Sequence, residues 1–217
     1  GRNPQIQMRS GMEAASFSAP RTSSPFRAVL FAARARTIAA SGWRRRGLAV
    51  GLGALTAAAL PPVHLVFLLI PAFAGWLWLI EGSRGPRGAL AIGWWFGVGH
   101  FAAGLYWISG ALLVEPEKFA WLIPFALGGF SGGLAVFPAA VAAAVRAIPA
   151  GPAGRALTLA IAWTAAEWLL SWVLTGFPWN LMGTVWTFSD AMIQPAALAG
   201  TYGLGLLTVA AAALFGG

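Results

Sequence analysis

Ala162-Trp-Thr-Ala-Ala-Glu167-Trp-Leu-Leu-Ser-Trp172-Val-Leu-Thr-Gly176-Phe177-Pro178-Trp179 is an apolar run that carries one acid and ends in an aromatic break. A run oily enough to cross a bilayer, interrupted by Gly176 and Pro178 with Trp179 at the interruption, reads as a helix surfacing at a membrane interface. Glu167 lies roughly three turns before the break. The composition around this stretch agrees with the reading: 59% of residues are hydrophobic and only 9% charged, against roughly 25% charged in ordinary soluble domains. The polar surface that a water-soluble domain needs is missing, so the chain is expected to be an all-α membrane protein.

Other apolar runs follow one another on both sides. At roughly 20 residues per span, six fit: 47–60, 63–80, 89–114, 119–145, 156–174 and 195–215, which predicts a polytopic bundle of about six transmembrane helices over 47–217. The first is short and must borrow length from its flank. Orientation follows from the basic residues, because Lys and Arg resist translocation. Nine of the fourteen precede position 47, Arg84 and Arg87 flank the second connection, Arg146 and Arg155 the fourth, and Lys118 alone falls on the alternate side. This places the N-terminus in the cytoplasm and the loop 175–190 outside it. Charge gathered just before the first apolar run orients a membrane protein, and nucleic acid is not an expected partner.

Residues 1–46 read as a basic cytoplasmic leader, partly disordered or amphipathic, with a surface helix expected over 26–40. A transit peptide has a similar composition. The sequence opens at Gly1, so the natural start is expected at Met8, Met12 or upstream.

Polar groups within apolar runs are costly in hydrocarbon and need a partner or a purpose. Glu167 is the foremost, either as a functional acid facing a cavity or as a carboxyl that glues neighbouring helices. His100 reads as a satisfied interior histidine and His64 as interfacial. No carboxylate or second histidine stands three or four residues from any of them, so neither a metal site nor a cofactor is expected. Zero cysteines exclude a thiol nucleophile within these residues. Gly93 with Gly97, Gly128 with Gly132 and Gly129 with Gly133 fit close helix packing. Trp76, Trp78, Trp94, Trp95, Trp121, Trp172, Trp179 and Trp186 are expected at headgroup depth. Phe177, Pro178 and Trp179 have a sharper alternative: with Glu167 they are candidates for lipid or substrate access from the outer leaflet.

The stretch 162–179 resembles the matching segment of the bacterial apolipoprotein N-acyltransferases. The likeness continues through Gly183 and Gly200-Thr-Tyr-Gly203. Earlier, Pro61-Pro62 with the apolar span after it is similar to that family's first helical hairpin, and Gly93-Trp94-Trp95-Phe96-Gly97 through Tyr106-Trp107 to its third helix. The resemblance implies an enzyme of the bacterial inner membrane that moves an acyl chain from a phospholipid donor to the N-terminal diacylglyceryl-cysteine amine of a lipoprotein acceptor. It also implies a nitrilase-like domain whose Glu, Lys and Cys do the chemistry. No residue here fills those roles, so they are expected beyond Gly217 and this segment is expected to be inactive alone. A non-catalytic membrane scaffold is the alternative, with a small transporter behind it.

Overall fold

In the computed structural model, residues 25–173, 176–177 and 179–216 are described. The chain divides into two units, Gly1–Ala33 and Arg34–Gly217. Of the first, residues 25–33 are described and helical, the opening of α1 (Pro25–Ala39), which spans the segment expected to form a surface helix. The second unit is a helical bundle with no strand among the described residues.

Its long elements are α2 (Gly42–Ala58), α3 (Leu69–Glu81), α4 (Gly85–Gly104), α5 (Ile123–Leu134), α6 (Val136–Ala147), α7 (Pro152–Val173) and α8 (Ala196–Leu214). Proline sets several starts: Pro86, Pro124 and Pro152 lie in first turns, where a missing N–H costs nothing. Three helical stretches are long and apolar enough to cross a bilayer, Pro116–Ala147, Pro152–Val173 and Ala196–Leu214, and Val66–Glu81 is a shorter apolar one.

Several bounds depart from expectation. The helix of the first expected span, α2, begins at Gly42, borrowing the basic flank Trp43-Arg-Arg-Arg46. The run expected through Val114 leaves the helix after Gly104 and resumes as a short helix, Ile108–Leu112. A Cβ on Gly104 would strike the amide of Asn180, so the chain gives way there to a segment arriving from far along the sequence. The fourth run breaks between α5 and α6, four residues before Pro138, whose ring crowds the carbonyl of Leu134. α8 contains a break as well, at Gly200 with φ 67° and ψ 179°, a backbone region open essentially to glycine alone.

α4 is the central rod, packed on α2 along one side and α6 along another. Glycine makes both approaches possible. A Cβ on Gly53 would collide with Phe96 O and one on Gly99 with Val50 O, so α2 and α4 touch backbone to backbone. Across the other face, a Cβ on Gly93 would stand 2.5 Å from Pro138 O and one on Gly97 2.7 Å from Ala135 Cα. The Gly128, Gly129 and Gly133 positions face open space, and Gly132 meets only the Trp94 ring at 3.6 Å. Identical spacing therefore means close packing at one place and none at the other.

The core is aromatic. Trp76 stacks on Phe96 with centroids 4.0 Å apart and planes within 8°, while Trp163 stands edge-on to both; each such pair adds about 1 kcal/mol beyond burial. This corrects the expectation for Trp76, which is fully buried in the protein core and so has no surface to offer a headgroup layer. Indole needs apolar surroundings more than it needs an interface when small neighbours leave a ring-sized space. Trp121 and Trp172 do lie exposed.

Polarity along α7 is inverted relative to a soluble helix. Ile161, Trp168 and Trp172 are exposed, whereas Glu167 is buried with Leu159, Ala160 and Trp163. A face of large apolar side chains with the acid turned inward suits a lipid surround.

Arg34, Arg45, Arg146 and Arg155 gather at one end of the bundle, around the turn after α3. Glu81 accepts from Arg34 at 2.8 Å and from Arg155 at 2.9 Å. Arg45 donates to Leu79 O, to Gly82 O at 3.0 Å and to Ser83 Oγ at 2.8 Å, and Arg146 to Ser83 O at 3.2 Å. The turn 81–85 is thereby clamped by side chains from four elements. Residues 179–190 lie away from this clamp.

Candidate functional site

Glu167 sits on the fifth turn of α7, four residues after Trp163, so the two side chains share a helix face. Its Oε1 accepts from Trp163 Nε1 at 2.9 Å and from the backbone N–H of Met182 at 2.8 Å. The acid thus reaches across to the segment after the aromatic break. That segment is not a surface loop throughout, because residues after Asn180 turn back into the bundle as a 3-10 turn, Met182–Trp186, with Met182, Gly183 and Val185 buried.

Three contacts hold the turn besides Glu167. Trp186 Nε1 donates to Thr208 Oγ1 on α8 at 2.8 Å. His64 Nδ1 donates to Val185 O at 3.1 Å, tying in the hairpin before α3. Gly183 packs on the break in α8, where any Cβ would strike Thr201 O. Gly205 is the matching gap, since a Cβ there would stand 3.2 Å from Gly183 N and 3.5 Å from Glu167 Oε2. Glu167, Gly183 and the Gly200–Gly205 stretch, 38 residues apart at the extremes, therefore meet in space.

Phe177 and Trp179 face each other with centroids 4.6 Å apart but point to different surroundings. Phe177 is half exposed. It lines an open groove of about 480 Å³ with Pro61, Pro62, Tyr106, Trp107 and Leu181. Trp179 is turned inward against Leu170, Phe101 and Leu134. Pro178, with Leu174 and Thr175, lies outside the described residues. Asn180, with φ 51°, lines both the groove and a small inner cavity beside Glu167. Sequence reading passed over Asn180; an Asn directly after a Gly-Phe-Pro-Trp break is the signal, because Asn tolerates left-handed backbone.

His100 is fully buried and bonded to Thr56 Oγ1 at 2.7 Å, a packed interior histidine between α4 and α2. Among the described residues no cluster of three metal-ligating side chains occurs.

Residues 52–214 match the family model for the apolipoprotein N-acyltransferase N-terminal domain. The chain belongs to this family. Relatives named apolipoprotein N-acyltransferase include one from Allorhizobium ampelinum, 42% identical over 194 residues, covering 84% of this chain and 37% of the relative. Another from Rhodopseudomonas palustris is 41% identical, covering 85% and 35%, and one from Caulobacter vibrioides 40%, covering 78% and 32%. The chain spans about a third of the length of these relatives.

Proposed function

We propose that this segment is the membrane domain of an enzyme that transfers an acyl chain from a phospholipid to the N-terminal diacylglyceryl-cysteine amine of a lipoprotein. The observation that carries the reading is the family match over 52–214, together with relatives that bear that enzyme's name over most of this chain's length. The bundle itself supplies no nucleophile of the required kind, having zero cysteines, so the reacting groups belong to another part of the polypeptide. What these residues supply is a platform. The groove beside Phe177, walled by Tyr106, Trp107 and the Pro61-Pro62 turn, suits an acyl chain, being mostly apolar and open at the end of the bundle. Glu167 takes a positioning role, holding the re-entrant turn by Met182 N. Trp179 and Pro178 belong to the same aromatic break, and Phe177 is its groove-facing member.

The alternation of arginine-rich and arginine-poor ends supports a cytoplasmic N-terminus in the bacterial inner membrane, with the groove facing the exterior. Cysteine-free background makes this directly testable on the chain in cells. A thiol at Lys118→Cys is expected to react with an impermeant maleimide in intact spheroplasts, and one at Arg84→Cys only after lysis. The reverse pattern overturns the orientation.

The activity is tested with the full-length natural polypeptide that carries this segment, reconstituted in phospholipid vesicles with a diacylglyceryl lipopeptide. Mass spectrometry is expected to find one acyl chain added to the terminal amine and lysophospholipid released. A folded protein that leaves the lipopeptide unchanged favours the scaffold reading instead.

A further inference from the structure

Beside Glu167 lies a small, half-open pocket of about 20 Å³, lined among others by His100, Trp163, Glu167, Trp179 and Asn180. Glu167 is only 7% exposed. Its Oε2, Trp179 Nε1 and Asn180 Nδ2 are buried and meet no hydrogen-bond partner among the described residues. Each such group left unmatched in an apolar interior is costly, and native interiors supply a partner. The three residues that carry these two donors and one acceptor all line this one small space.

A fourth group completes the set. Thr56 Oγ1 has one proton and donates it to Gly53 O at 2.5 Å, so at 2.7 Å from His100 Nδ1 it must accept. In the neutral imidazole this fixes the proton on Nδ1 and leaves Nε2 an acceptor, on a residue that lines the cavity. The inventory is two acceptors, Glu167 Oε2 and His100 Nε2, and two donors, Trp179 Nε1 and Asn180 Nδ2. Water offers two protons and two lone pairs. The volume exceeds the roughly 10 to 15 Å³ that one water requires.

The geometry points to a built site for one structural water that joins Glu167 and His100 to Trp179 and Asn180 and so positions the aromatic turn at the floor of the outer groove. Asn180 borders both spaces, so the water-bound node sets the wall against which a groove occupant rests. A metal ion is disfavoured by the donors, since an indole N–H and an amide NH₂ present protons rather than lone pairs.

Two measurements on the full-length natural protein in lipid nanodiscs test this. A cryo-electron microscopy map at a resolution that displays ordered water is expected to show one peak within hydrogen-bond distance of Glu167 Oε2 and of both Trp179 Nε1 and Asn180 Nδ2. No peak, or a direct Asn180 to Glu167 bond in its place, overturns the proposal. Glu167→Gln provides the second readout. Glutamine keeps an oxygen for Trp163 and Met182 and the same shape, but turns a third donor towards a water that accepts two bonds. Hydrogen exchange of the amides of 180–183 is expected to quicken roughly tenfold; a purely packing role predicts no change, which also overturns it. Acyl transfer assayed on the wild-type preparation separates the readings: activity with an empty cavity removes only the water site, and a filled cavity without activity removes only the acyltransferase.

Discussion

The two ends of the bundle solve the problem of polar groups in opposite ways. At the arginine-rich end, Glu81, Ser83 and the carbonyls of Leu79 and Gly82 are claimed by Arg34, Arg45, Arg146 and Arg155. At the other end, Oε2 of Glu167, the Trp179 indole and the Asn180 amide border a cavity without protein partners among the described residues, and aromatic side chains rim an open groove. An end whose turn is held by four arginines has its geometry fixed by polar contacts. An end with a mostly apolar open groove is where an acyl chain can rest, which is why the groove end, rather than the cluster richest in contacts, is the candidate site.

The contrast presumes a rigid rod joining the ends, and the severest way to break it is at that rod. Gly99→Leu drives a side chain into the backbone of α2, and is expected to cost about 3 kcal/mol or more, seen as loss of a folded, monodisperse species in detergent. Gly133→Leu, facing open space, is the control and should behave as the parent. Next, Arg45→Ala strips three acceptors in the clamped turn of their donor; a loss of about 2 to 3 kcal/mol is expected in thermal unfolding. Glu167→Leu at the opposite end orphans the Trp163 indole and the Met182 amide, and a loss of about 2 kcal/mol is expected. Its signature is faster exchange confined to 180–186, whereas the Arg45 variant should loosen 79–85. If both variants loosen the same segment, the ends are not independent.

Phe177→Ala sharpens the functional half of the comparison. The side chain is half exposed, so stability should move by no more than about 0.5 kcal/mol, while KM for the phospholipid donor in the full-length enzyme rises several-fold with kcat little changed. Lys118→Ala is the smallest: its pair with Glu115, 2.5 Å apart and exposed on both sides, should be worth under about 0.5 kcal/mol in unfolding measurements.

Much of the fold was legible because apolar runs and arginine placement act locally. Residues 162–173 form one helix with its acid inside, and Arg84, Arg146 and Arg155 share an end. What the sequence concealed depends on partners distant along the chain. Trp76 looks like any interfacial tryptophan until Phe96 stacks on it. Gly53 and Gly99 stand in no glycine motif with each other, yet they make the tightest helix crossing, while the evenly spaced glycines of 128–133 contact little. Asn180 and the re-entrant turn after it carry no periodic signal, because their position is set by Glu167, His64 and Thr208 together. Of the candidate residues, Glu167 was visible as a lone intramembrane acid; its choice of a backbone N–H over a charged partner was not.

The break at Gly200 divides α8 into an outer stub and an inner shaft. A straight helix would carry a twist applied at its outer tip down to Trp78, which caps the far end through Gly216 O. The reversed torsion at Gly200 instead lets Ala196–Ala199 leave on a different axis while Thr208, on the shaft below, keeps its bond to Trp186. A residue with a side chain would be strained at this torsion and would favour a straight helix that redirects the stub.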